Sequence, residues 1–139
     1  MIVETESLRV LDARLENRAE LLSEAARAMP GLSVCRRELL RGDVLEYLDE
    51  VDSHLRMDER SLYPMIAERL GDPFAAAPMQ FANRAIRWWT AELGRADLAD
   101  ADELQRILYG LHALIRVHLS REEQLYAGVL ESPTRPAGS

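Results

Sequence analysis

Two of the three histidines stand in matching frames. The stretch SHLRMDERSLYP, residues 53–64, sets His54 four residues before Asp58, and VHLSREEQLYAG, residues 117–128, sets His118 four residues before Glu122. On a helix, positions i and i+4 lie about 40° apart, one turn along the axis. Each imidazole therefore points the same way as its carboxylate, and such a pair can fill adjacent positions around a first-row metal or, with the carboxylate bridging, serve a dinuclear centre. A single pair of this kind is common on an exposed helix face, so the weight rests on finding two in equivalent frames. In the second segment Leu111, Ile115 and Leu125 continue the stripe of His118 and Glu122, and in the first Val51, Leu55 and Leu62 flank His54 and Asp58. Polar pairs on a core-facing stripe need a partner, because an unpaired buried charge is costly. The competing structural reading, two core histidines each bonded to a nearby acid, ranks below metal binding.

The elements that must carry these residues are helical. Apolar residues recur at helical spacing almost throughout, which predicts an all-α chain. A first helix is expected from Glu4 to Met29, stopped by Pro30 and Gly31, and a second between Ser33 and Leu70. Gly42 and Asp43 offer a later start for the second helix, Pro64 should kink or interrupt it, and Gly71 suits its C-terminal cap. A third helix starts at Asp72 or near Met79 and ends near Gly94; a fourth runs to about Glu131 behind Asp100 and Glu103 in capping-box spacing. Four long helices with short loops imply an up-down-up-down four-helix bundle over residues 1–131. The tail SPTRPAGS, residues 132–139, has the composition of a disordered segment. Asn17-Arg18-Ala19 recurs as Asn83-Arg84-Ala85 and His54-Leu55 as His118-Leu119, which suggests two helical hairpins related by a pseudo-twofold axis.

Composition narrows the function. A formal charge of −7, spread along 139 residues, argues against binding nucleic acid, which needs a basic face. No apolar run reaches the ~20 residues needed to span a bilayer, and the acidic start lacks the form of a secretory leader. A cytoplasmic location is expected. Cys35, the single cysteine, can form no internal disulfide and reads as a small buried hydrophobe. Phosphate loops, nucleophile elbows and zinc-protease motifs are absent, so hydrolytic and nucleotide chemistry have no support. An enzymatic role stays open; the reaction class the residues point to is metal-dependent redox chemistry.

HLRMDERSLYP and HLSREEQLYAG resemble the second and fourth elements of the hemerythrin-like, HHE cation-binding, family, with Asp58 in place of glutamate. The resemblance covers nearly the whole chain. It implies a four-helix bundle around a non-haem iron site, often di-iron, used for dioxygen binding or for sensing oxygen, nitric oxide, peroxide or iron. Where that family carries lone histidines on its first and third helices, this chain presents Asn17 and Asn83. An asparagine offers only a neutral carbonyl oxygen, a weak iron ligand beside imidazole.

The expected ligands are therefore His54, Asp58, His118 and Glu122, a histidine-poor set that points away from simple oxygen carriage. Additional candidates are Asn17 and Asn83 themselves, Glu20 and Glu50, and the phenols Tyr63 and Tyr126. Solvated helix flanks for the two acids and satisfied core hydroxyls for the two phenols are the commoner situations. Iron is the default, and zinc or manganese suits the same mixed donors. The alternative is a metal-free bundle serving as an interaction or regulatory module, with Arg14 or Arg87 entering the former site to pair with its carboxylates. His112 lies six residues before His118, about 120° round, and is excluded. Phe81, Ala85 and Trp88 oppose Asn83 on the third helix, an outward stripe that suggests a homodimer contact through Phe81 and Trp88.

Overall fold

The structure, a computed structural model, describes residues 13–131, with side chains as far as Val129. The expected beginning of the first helix and the tail at 132–139 lie outside the described residues. The first rod is helical through 13–18 and continues as α1 (Glu20–Ala28) after an irregular turn at Ala19. There the Ala19 N–H bonds to Glu16 O at 3.2 Å, and the Tyr47 hydroxyl donates to Leu15 O at 2.7 Å. A 3-10 turn, Met29–Gly31, ends this rod where Pro30 and Gly31 were expected to stop it.

The second rod begins at Ser33, whose hydroxyl accepts from the Arg36 N–H at 3.3 Å, so the later start at Gly42 is not used. It runs as α2 (Val34–Met57), passes through a π-helical turn at Asp58–Leu62, and continues as α3 (Tyr63–Leu70). Pro64 accounts for the interruption. In a regular helix its missing N–H leaves Arg60 O without a partner, and its ring crowds that carbonyl. The backbone widens instead, with the Tyr63 N–H reaching Asp58 O, five residues back. Gly71 closes the rod at φ 64°, a left-handed conformation that glycine adopts without a Cβ penalty. The Asp72 N–H returns to Ala67 O at 3.0 Å, and the Gly71 N–H to Glu68 O at 3.2 Å, the Schellman pattern.

Asp72 caps only a turn, accepting from the Phe74 N–H at 2.9 Å, and α4 spans Ala77–Arg95. Asp100 accepts from the Glu103 N–H at 3.0 Å and opens α5 (Ala101–Glu131). The Glu103 side chain turns to Arg106 rather than back to Asp100, so half of the expected capping box forms.

The rods pack α1 on α2, α2 on α4, α4 on α5 and α5 on α1, which closes an up-down-up-down four-helix bundle. Its interior has three layers. A large apolar cluster fills one end, including Leu22, Tyr47, Val51, Leu55, Ile86, Leu111, Ile115 and Leu119. A smaller cluster of Leu62, Tyr63, Ile66, Met79, Tyr126 and Val129 fills the other. Between Val51 and Leu62 on one rod, and between Ile115 and Tyr126 on another, lies a polar layer. Cys35 is exposed near the start of α2, contrary to the buried position its residue type suggested.

Candidate metal centre

The polar layer is where the two histidine–carboxylate frames meet. His54 is 3% exposed and His118 2%, while Asp58, Glu122 and Asn83 are fully buried. His54 Nε2 stands 3.2 Å from Asp58 Oδ2 and 3.8 Å from Glu122 Oε2, so α2 and α5 converge across the bundle axis. His118 Nε2 is 3.0 Å from Glu122 Oε1. One donor atom each from His54, Asp58 and Glu122 lie within 4.8 Å of one another, a spacing that suits a single cation.

The electrostatics of this layer are set by dehydration. Burial, reinforced by the neighbouring Glu122, pushes Asp58 up to about 8. Burial opposes ionisation of Glu122 too, yet His118, Asp58 and the Tyr63 hydroxyl outweigh it and hold its carboxyl below the usual range. Of the two carboxylates, Glu122 is the one kept charged. Its Oε1 accepts a 2.6 Å bond from the Tyr63 hydroxyl, which in turn accepts from Asn83 Nδ2 at 3.0 Å. Burial and the adjacent Glu122 raise the Tyr63 phenol well above its ordinary value, so it stays a donor.

The donor set fits a cation. Both Asp58 oxygens, both His118 ring nitrogens and Glu122 Oε2 are buried without a hydrogen bond of good geometry. Native interiors rarely leave so many polar atoms together unsatisfied. A cation among His54, Asp58 and Glu122 would take a lone pair from each, while His118 lies outside that group and offers one ring nitrogen beside Glu122 Oε1. Mixed imidazole and carboxylate donors suit iron, zinc or manganese.

Other expected candidates fall elsewhere. Asn17 is exposed, because Leu15, Ala19 and Leu22 form the inward face of the first rod and position 17 points away from it. Its neighbour Arg18 pairs with Glu50, and this ion pair is half exposed. Glu50 is thereby removed from the centre. Glu20 is also on the surface, 3.1 Å from both His112 Nε2 and Arg116 Nη1. Tyr126 is buried beside the centre in the smaller apolar cluster. The Asn-Arg-Ala repeat is thus not a structural equivalence, since Asn83 faces the core and Asn17 faces solvent.

Neither arginine replaces a cation. Arg14 is exposed, and Arg87 gives its guanidinium to Asp52 and Glu59 on the outer side of the second rod rather than to Asp58 or Glu122.

The π turn explains what residue spacing misses about Tyr63. Nine residues beyond His54, a regular helix carries a side chain about 180° round, onto the opposite face. The extra residue in the turn brings Tyr63 back to the centre, where its hydroxyl meets Glu122 Oε1. Pro64 is the sequence signal for this departure, although it does not specify how the helix yields.

A closed four-helix bundle with paired histidines and carboxylates buried midway along its axis is a class of cation-binding architecture. The chain belongs to the hemerythrin family: the model of the hemerythrin HHE cation-binding domain matches residues 5–130. No curated protein and no solved structure matches the chain.

Proposed function

We propose that the polar layer is a histidine-poor metal centre of the non-haem iron type, held by His54, Asp58, His118 and Glu122. The observation that carries this reading is the convergence of His54, Asp58 and Glu122 within 4.8 Å in a buried layer between two apolar clusters. When bound, iron would supply a redox couple and an open position for a diatomic or peroxide ligand. The chain's own residues do the rest. Tyr63 fixes Glu122 through its hydroxyl, Asn83 holds Tyr63, and Leu55, Leu62 and Leu119 wall the layer from water. With two imidazoles among the donors, sensing or handling of oxygen, nitric oxide, peroxide or iron suits the site better than reversible oxygen carriage. Phe81 and Trp88, 68% and 56% exposed on α4, are the proposed contact between two copies of the chain.

Elemental analysis of protein purified without chelators tests the centre. Near-stoichiometric iron, or uptake of added Fe²⁺, is expected in the native chain and is expected to vanish in His54→Ala/His118→Ala. A native chain that takes up no Fe²⁺, Mn²⁺ or Zn²⁺ leaves the metal-free interaction module instead.

A further inference from the structure

The π turn that carries Asp58 is gripped from outside by α4. Asn83 and Arg87 stand one helical turn apart on α4 and therefore face the second rod together. Asn83 Nδ2 donates to the Tyr63 hydroxyl at 3.0 Å, at the C-terminal edge of the turn. Arg87 reaches the N-terminal edge, where Nη1 donates to Glu59 Oε2 at 3.3 Å and Nη2 bonds Glu59 Oε1. Its Nε donates to Asp52 Oδ1 at 2.7 Å, on the last regular turns of α2. One planar guanidinium thus ties the residue beside Asp58 to the helix that precedes the turn, using a donor geometry that lysine does not possess. Pairing with Glu59, then with Asp52, raises the Arg87 pKa further, so the guanidinium stays charged and the grip holds wherever its two carboxylate partners are ionised.

We infer that Arg87 is a positioning residue for the metal centre: with Asn83, it holds the π turn in the rotation that aims Asp58 and Tyr63 inward. The physical need is plain. A π turn competes with a regular helix, and a slip of one residue swings a side chain by about 100°. The ring that meets Asp58 on its own rod, His54 at 3.2 Å, does not fix how the turn is rotated against α4. A side chain from α4 fixing Glu59, the neighbour of Asp58, supplies that constraint, in the way outer partners orient metal ligands elsewhere.

This inference rests on the metal reading above, and its test separates the two. Arg87→Met keeps length and apolar stem while removing the grip. Arg56→Met is the control, since Arg56 also bonds Asp52, at 2.8 Å, through a more exposed side chain. Fe²⁺ and Co²⁺ affinities are measured alongside amide hydrogen exchange at Tyr63, whose N–H closes the turn. Loss of a positive charge should by itself strengthen cation binding. The expected result has the opposite sign: about tenfold weaker binding in Arg87→Met and faster Tyr63 exchange in the metal-free protein, with neither change in Arg56→Met. Unchanged or tighter binding in Arg87→Met, native exchange at Tyr63, or equal losses in Arg56→Met would each overturn the assignment. If the native chain takes up no metal, the proposed function fails and the exchange arm alone decides. Faster exchange then upholds the grip on the turn, and native exchange sinks it.

Discussion

Asp58 and Glu122 are both buried and acidic, yet their surroundings push them apart. Asp58 titrates at about 8 in the folded chain against an ordinary value of 3.8. Its folded pKa is raised, so the stability it contributes is fully present below about 3.8 and is lost as pH rises through about 8. The metal-free protein is therefore expected to melt at progressively lower temperature across that window, as read by circular dichroism. A bound cation takes the proton's place, so metal affinity should rise by about tenfold per pH unit and flatten near pH 8, with proton release measurable by calorimetry in two buffers. Tyr63→Phe removes the donor to Glu122 Oε1 and the acceptor of Asn83. It is expected to cost about 1–3 kcal/mol in urea denaturation of the metal-free chain, the usual penalty for orphaning a buried polar group. At this scale the sequence already shows His54, Asp58, His118 and Glu122, because residue type and i,i+4 spacing are local. It assigns Asn17 and Asn83 equal standing, and only their burial separates them.

At the scale of elements, the π turn and the Gly71 cap are the two departures from regular helix in the second rod. Gly71→Ala places a Cβ at φ 64°, which should cost about 1–2 kcal/mol of stability while leaving metal binding unchanged. The π turn makes the two histidine frames unequal in length, since Tyr63 follows Asp58 by five residues and Tyr126 follows Glu122 by four. Deleting exposed Ser61 together with Pro64→Ala makes the first frame like the second. A regular helix then brings the tyrosine to the same face, and the variant should fold with native helicity and retain the Tyr63–Glu122 bond. Deleting Ala113 from regular α5 instead rotates His118 and Glu122 by about 100° and should abolish the cooperative melt. Helix starts at Ser33 and Asp100 and the stop at Gly71 were legible because capping is local chemistry. How Pro64 is absorbed was not, because a kink, a break and a wider turn all satisfy a missing N–H.

Across the whole molecule the bundle sets four titratable groups in a dry layer that the hydrophobic clusters on either side must hold shut. Ligand binding to the folded state alone stabilises it by about 2.7 kcal/mol at one hundred times the dissociation constant. Saturating Fe²⁺ or Co²⁺ should therefore raise the melting temperature of the native chain and leave His54→Ala/His118→Ala unmoved, a comparison made in one thermal scan. No described helix is long and apolar enough to cross a membrane. The proposed contact through Phe81 and Trp88, each more than half exposed, predicts pairing of the native chain in light scattering, weakened in Phe81→Glu/Trp88→Glu.

The sequence by itself determined the helical rods, their apolar stripes and the two histidine–carboxylate frames, since each follows from periodicity within a few turns. Which face of the first rod turns inward, where Arg87 spends its charge and how Tyr63 reaches Glu122 were decided only by the tertiary structure. Those outcomes depend on relative rotation and register between rods distant in the chain. One residue of helical phase, about 100°, is enough to move a side chain from the polar layer to solvent.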